Sequence, residues 1–176
     1  MPDPHGPRGT ARAWYARVTR TAIRVRAAIP ADASAWVRMR EALWPEEGAS
    51  PHAREVEQFF AGSLRMPLAV LIAEDVGGGA IGFAELSIRP YAEGCETDRV
   101  AFLEGWYVEP EHRGRGAGRA LVKAAEAWAA AQGCTEFGSD ALIDNTVSAA
   151  AHVAVGFEEV AQIRCFLKRL PAGGNE

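Results

Sequence analysis

From Arg113 to Gly118 the chain reads Arg-Gly-Arg-Gly-Ala-Gly, soon after the strand-like run Phe102-Leu-Glu-Gly-Trp-Tyr-Val108 and directly before an alanine-rich helical run. Such a segment demands a strand, a tight glycine turn and a helix in close succession. A glycine has no Cβ, so Gly114, Gly116 and Gly118 let the backbone bend and bring its N–H groups close to an anion. At the first turn of a helix those N–H groups lack partners within the helix and carry the positive end of its dipole. The segment therefore reads as a phosphate cradle suited to a pyrophosphate.

Glycine-rich turns of this kind serve several nucleotide-containing ligands, and the context narrows the choice. No Gly-Lys-Ser/Thr follows, so the lysine and the magnesium-ligating hydroxyl of a nucleotide-triphosphate loop are missing. A dinucleotide fold places its glycines after the first strand of a parallel sheet. Here they come about two-thirds along the chain, after several strand-like runs.

A length of 176 residues predicts one compact domain with one core. The formal net charge is −4, yet residues 1–22 hold four arginines and one aspartate, +3, which leaves −7 on the remainder. An acidic body argues against nucleic acid and suits a cationic small molecule, although surface acidity can also serve solubility alone. Cys95, Cys134 and Cys165 form no Cys-x-x-Cys and cannot all pair within one chain, which predicts free thiols in a reducing cytoplasm. The four histidines lack metal-ligand spacing, so no metal is expected. No apolar run approaches the ~20 residues of a membrane span, and no secretory signal is recognised. Residues 1–22 and 171–176 read as flexible flanks of a domain over residues 23–170. The first of these is either the product of an upstream start or an arginine-rich tail that touches a partner.

Residues 23–27 alternate as a first strand. Pro30-Ala-Asp32 opens a helix through Leu43, which Pro45 stops. Ser50-Pro51 starts a second helix with Val56, Phe59, Phe60 and Leu64 on one face. Residues 68–73 form a buried strand, Gly77-Gly-Gly79 turns it into a strand over 80–89, and residues 90–98 are a polar loop. A strand over 100–108 feeds the glycine loop, and the helix from about Gly116 ends at Gly133. A short strand over 136–139, a helix over 145–155 closed by Gly156, and a final strand region over 158–170 complete the order βααβββαβαβ. The glycine loop and Asp140 then fall at ends of central strands, where α/β sheets usually bind ligands.

The loop Arg113-x-x-Gly116-x-Gly118 resembles the acetyl-CoA loop of the GNAT superfamily of N-acetyltransferases. Leu43-Trp44-Pro45, Ile81-Gly-Phe-Ala-Glu-Leu-Ser-Ile-Arg89, Gly94-Cys95, Leu103-Glu-Gly-Trp-Tyr-Val108, Ser139-Asp140, Asp144-Asn145 and Gly156-Phe157 resemble, in the same order, the aminoglycoside 6′-N-acetyltransferases within it. The resemblance implies an α/β GNAT fold, with a mixed central sheet, helices on both faces and splayed central strands that hold acetyl-CoA. It implies acetyl transfer to the 6′-amine of an aminoglycoside by direct attack in a ternary complex, and a homodimer. No cysteine lies in a nucleophile setting, which disfavours a covalent acetyl-enzyme. Two other readings keep the same loop: an acetyltransferase for another polyamine or small amine, and a module that binds acetyl-CoA without turning it over.

Acetyl transfer from a thioester to an amine needs a held coenzyme, a neutral amine and stabilisation of the developing oxyanion and thiolate. The resemblance assigns coenzyme binding to Trp106, Tyr107 and Val108 on the strand, to Arg113, Gly114, Arg115, Gly116, Ala117 and Gly118 in the loop, and to Asn145. Its Val108 N–H would polarise the thioester carbonyl. Gly105 inside an apolar strand fits a local distortion, or else gives packing room. Glu104 lies among Phe102, Leu103, Trp106 and Tyr107, surroundings a carboxylate rarely occupies without a partner, and it is the candidate to accept the amine proton. Its alternative is a solvent-facing position on a half-exposed strand. Asp140 matches a substrate-binding carboxylate of the resembling enzymes, and both acids are candidate catalytic residues. Asp144 reads as the cap of the following helix, and Asn145 as a pantetheine contact or a cap. Trp44 and Tyr91 match positions that line the aminoglycoside cleft, against core packing and an exposed turn as their plainer roles. Glu85 and Arg89 are possible supports behind the site. Four positions before Gly156, where many GNAT enzymes carry a thiolate-protonating tyrosine, this chain has His152, either the general acid or a structural histidine. Ala161 stands where some relatives have a further substrate-binding acid.

Overall fold

A computed structural model describes residues 23–45 and 50–169. The expected flanks, residues 1–22 and 171–176, lie outside the described residues. Five strands form one mixed sheet in the spatial order β1-β2-β3-β4-β5. They are β1 (Arg24–Ala27), β2 (Ala69–Glu74), β3 (Ala80–Arg89), β4 (Val100–Val108) and β5 (Phe137–Ser139). The first four pair antiparallel, and β4 pairs parallel with β5.

Two helices, α1 (Ala33–Leu43) and α2 (His52–Phe60), pack on one face of the sheet, and α3 (Ala117–Ala131) covers the other. β3 is central and covered on both faces, which is why its sequence is a nearly continuous apolar run. Its Phe83 meets Trp36, Met39 and Val56 of α1 and α2, whereas Ala84 and Leu86 meet Leu121, Val122 and Ala125 of α3. Arg26 clamps β1 to the turn before α1, with Nη1 and Nη2 2.6 and 2.8 Å from the Asp32 carboxylate and Nε 2.7 Å from Glu74 Oε1. The hydrogen bonds from Arg26 hold the Asp32 carboxyl below its ordinary range.

The polypeptide departs from the sequence expectation in three places. The second helix ends at Phe60, so Leu64 lies beyond it. The cap of α4 (Thr146–Val155) is Asn145 and not Asp144: the Asn145 side chain accepts the Ser148 N–H at 3.0 Å. Residues 158–169 form no strand and are exposed. Their apolar residues Val160, Ile163, Phe166 and Leu167 do not follow a period of two, and they pair with no strand among the described residues.

Candidate active site

The site grows from one irregularity. Glu85 pairs with Gly105 and Leu86 with Leu103, so Glu104 is an extra residue on β4 with no opposite number on β3. Such a bulge puts two consecutive residues on one face. Glu104 and Gly105 therefore both point to the α1–α2 side, the side of Phe83, Ser87 and Arg89. A Cβ on Gly105 would collide with the Trp44 indole, 2.8 Å from Cζ2, so glycine leaves the room that Trp44 needs to pack against β4. Gly105→Ala is expected to displace that ring, lowering stability by about 1–3 kcal/mol. A thermal melt equal to wild type would show that Trp44 relocates freely.

Glu104 is half-buried and fully engaged. Ser87 donates its hydroxyl to Oε1, and Arg89 donates Nε to Oε1 at 3.0 Å and Nη2 to Oε2 at 2.5 Å. The Arg89 guanidinium is itself fixed over the Phe102 ring, 3.4 Å from its centroid. Ser87 and Arg89 are two apart on β3, so they share a face, but only the cross-strand register directs them onto Glu104. Glu104 thus lies neither on a bare solvent face nor in an unpartnered apolar pocket.

Beneath Trp44 lies a buried charge cluster that sequence reasoning did not assemble. The Arg40 guanidinium is 5.3 and 5.7 Å from the Trp44 and Trp36 ring centroids. Its Nη2 donates to Glu55 Oε2 at 2.5 Å, and its Nη1 stands 3.4 Å from Glu85 Oε1, near enough for charge attraction but not aligned as a hydrogen bond. Trp36 Nε1 donates to Glu85 Oε1 at 2.8 Å. His52 Nε2 is 3.1 Å from the Trp44 carbonyl, which can only accept, so Nε2 carries the proton there. Burial pushes the Glu85 carboxyl up to about 7, against the opposing pull of Arg40 and Trp36. Between 4.5 and 7 the folded protein holds a proton that the unfolded chain has released. The Glu85 contribution is therefore most favourable at low pH and declines as pH rises through 7, by roughly 3 kcal/mol. Glu85→Gln cannot ionise, so urea melts are expected to show the variant gaining on wild type between pH 5 and pH 8. A pH-independent difference would place the Glu85 proton elsewhere.

Beyond the bulge β4 loses its partner on one side, because the β4–β5 pairing ends at Leu103 and Ser139. Glu109 N donates to Ile81 O on the β3 side, and backbone groups alternate along a strand, so the Trp106 and Val108 amides face the open side. Arg113 reaches the same side, donating Nε to the Val108 carbonyl at 2.8 Å. Tyr107 is turned the other way, into the α1–α2 core, with its hydroxyl 3.0 Å from Glu109 Oε2. Its phenol is raised by burial first and by Glu109 second.

At the foot of this slot, Gly114 and Gly116 adopt positive φ of 70° and 97°, and Gly116 is the N-cap of α3. The first helical bond runs from Ala120 N to Gly116 O, so the amides of Ala117, Gly118 and Arg119 are free of helix partners. Ala117 turns its methyl into the core, and Gly118 lies beneath the Trp106 ring. The Trp106 Nε1 is buried without a partner. Open strand amides, free helix amides and an orphaned indole N–H together fit a long polar ligand that ends in phosphates. Arg113 and Arg115 are exposed beside the loop.

Asp140 follows Ser139 directly and is exposed, at the level of Glu104 on the adjacent strand. Asn145 spends its side-chain oxygen on the α4 cap. Tyr91 is exposed, after Pro90. His152 bonds to Ser139 and Ser148 and packs against Trp106. Among the described residues, no three His, Cys, Asp or Glu side chains cluster as a metal would require. None of the described helices is long and apolar enough to cross a membrane.

Comparison with known proteins agrees with this geometry. The model of the acetyltransferase (GNAT) family matches residues 36–157. The chain is 55% identical over 139 residues to the aminoglycoside N(6′)-acetyltransferase type 1 of Klebsiella aerogenes, covering 79% of this chain and 91% of that protein. It is 42% identical over 148 residues to the enzyme of the same name from Stenotrophomonas maltophilia, covering 84% and 92%. Among solved structures it is similar to AAC(6′)-Iy in complex with the bisubstrate analogue CoA-S-monomethyl-acetylneamine. The TM-score there is 0.77 and the identity 35%, over 85% of this chain and 100% of that one. A bulged strand beside an open slot, a glycine cradle at a helix start, and a family match spanning both lead to one conclusion: this chain belongs to the acetyltransferase (GNAT) family.

Proposed function

We propose that the protein is an aminoglycoside 6′-N-acetyltransferase that moves an acetyl group from acetyl-CoA to an amine of the antibiotic. The observation that carries this reading is the placement of Glu104 and Asp140 at the head of the open β4 slot, with Trp44 against Gly105. Carboxylates at that point meet a cationic substrate where the thioester must lie. The high identity to enzymes named for this activity supports the same substrate class.

Acetyl-CoA, when bound, supplies an activated acetyl group. The free amides of Ala117, Gly118 and Arg119, with Arg113 and Arg115, hold the pyrophosphate. The Trp106 amide would hold the pantetheine arm, and the Val108 N–H would face the thioester carbonyl oxygen as negative charge grows there. Glu104 draws the substrate ammonium to the slot and accepts its proton directly or through one water. Arg89 keeps that carboxylate fixed on the bulge, and the incoming ammonium competes with it for charge. Asp140 holds a second ammonium of the ring system, Trp44 and Tyr91 line the cleft, and His152 supplies a proton for the departing sulfur.

The working unit on this reading is a cytoplasmic homodimer whose transferase domain spans residues 23–170. Free cysteines at 95, 134 and 165 suit a reducing compartment. Phe166 and Leu167 are 91% and 82% exposed on a segment without strand partners, a surface that a second copy would cover. Mass spectrometry of an aminoglycoside incubated with enzyme and acetyl-CoA is expected to show one added acetyl group at the 6′ nitrogen. Acetylation of simple polyamines with no aminoglycoside product would replace this substrate class by another amine. Coenzyme binding without thiol release for any amine would reduce the protein to a binding module.

A further inference from the structure

Ser139 closes the last rung between β4 and β5, opposite Leu103 and next to the bulge. His152 lies across from it on α4, its ring packed against Trp106 and Phe157 with centroids 5.3 Å away in both cases. Both ring nitrogens are occupied. Nδ1 is 2.8 Å from the Ser148 carbonyl oxygen, and Nε2 is 2.9 Å from Ser139 Oγ. Ser139 Oγ is also 3.2 Å from the Leu103 carbonyl oxygen.

Hydrogen-bond bookkeeping then allows two states. A carbonyl accepts and never donates, and the Ser148 carbonyl oxygen at 2.8 Å is much closer to Nδ1 than the Ser148 hydroxyl at 3.4 Å, so Nδ1 carries a proton. In the neutral ring Nε2 is a bare lone pair, and Ser139 must spend its only proton on it. In the charged ring Nε2–H donates to Oγ instead, and the Ser139 proton is released toward Leu103 O or toward a group in the slot. The hydroxyl is therefore a switch whose direction follows the charge on His152. Ser148 Oγ is the other polar group at the ring, 3.4 Å from Nδ1 and so a longer contact than the Ser148 carbonyl, while Trp106 and Phe157 pack edge-on against the ring.

We propose that Ser139 delivers the proton to the departing sulfur, with His152 as the positioning residue and proton reservoir behind it. The proposal rests on the acetyl-transfer reading above. As the amine nitrogen bonds to the thioester carbon, the carbon–sulfur bond breaks and its electron pair stays on sulfur. Sulfur takes the Ser139 Oγ proton, and Oγ takes the proton from His152 Nε2. The imidazole is left neutral with Nδ1–H on Ser148. The nitrogen sheds one proton as the ammonium is neutralised and a second as the amide forms, both leaving to solvent through Glu104 or its water, and solvent returns one proton to Nε2. Nothing is oxidised or reduced. A Ser–His pair thus does the work of one phenol, which explains how His152 serves where a tyrosine is usual in the resembling enzymes.

The test combines spectroscopy of the free protein with kinetics. In 15N-labelled full-length protein, NMR of the neutral His152 side chain is expected to show the Nδ1–H tautomer. An Nε2–H tautomer overturns the switch. Ser139→Ala and His152→Gln are each expected to lower kcat by about 10- to 100-fold, with acetyl-CoA Kd by calorimetry unchanged within about twofold. The double variant is expected to be no slower than the slower single variant, because two links of one relay are lost together. Wild-type turnover in Ser139→Ala with a slow His152→Gln overturns the relay and leaves acetyl transfer intact. Independent, multiplicative losses likewise overturn it. Failure of the wild-type enzyme to acetylate any amine overturns the parent reading and the relay with it, a result the other outcomes cannot mimic.

Discussion

Glu104→Gln is expected to lower kcat by a factor on the order of 10²–10⁴ while changing acetyl-CoA affinity little. Glutamine keeps the size of the side chain and can still accept from Ser87, but it removes the charge that Arg89 engages through two nitrogens and the oxygen that accepts the amine proton. Arg89 remains stacked over Phe102 and reaches solvent, so the variant folds. Asp140→Asn is expected to act differently. Asp140 is exposed at the end of β5, where it can hold a ring ammonium without touching the reacting nitrogen. Its loss should raise the aminoglycoside KM more than it lowers kcat. Steady-state kinetics of both variants, in protein shown by calorimetry to bind acetyl-CoA, check this division. Equal and small effects would mean that another group accepts the proton.

Gly116→Val is expected to weaken acetyl-CoA binding by about tenfold or more, since a tenfold change needs only ~1.4 kcal/mol. No atom lies within 4 Å of a Cβ placed on Gly116, so the effect is not a collision. It comes from φ of 97°, a left-handed conformation that costs an L residue roughly 1–2 kcal/mol and a β-branched one more. The loop escapes that cost by rotating, which turns the first amides of α3 away from the pyrophosphate. Because the loop is exposed, the melting temperature should fall by only a few degrees. Calorimetric titration with coenzyme A decides the matter, and unchanged affinity would move the phosphates to another part of the surface.

The chain itself was enough to read β4, the glycine turn after it and α3, because a strand, a glycine turn and an alanine-rich helix are local features with local causes. It was likewise enough for α1, for β2 through β5 and for α3, since their apolar spacing is set by which faces are covered. Local pattern also misled. Asp144 and Asn145 are both good caps, and only the path of the chain into α4 decided for Asn145. Residues 158–169 looked like a strand because they hold β-branched and aromatic residues, yet a strand needs an edge to pair with, and propensity cannot supply one. The chemistry of the site was decided at a distance in sequence. A one-residue bulge placed Glu104 and Gly105 on the same face, which brought Ser87 and Arg89 onto the carboxylate and Trp44 onto the glycine. The same non-local packing joined Arg40, Glu55 and Glu85 under Trp44, and Ser139 to His152 across the slot. The residue types were thus written in the sequence, whereas their partners followed from strand register and helix docking, which depend on contacts tens of residues apart.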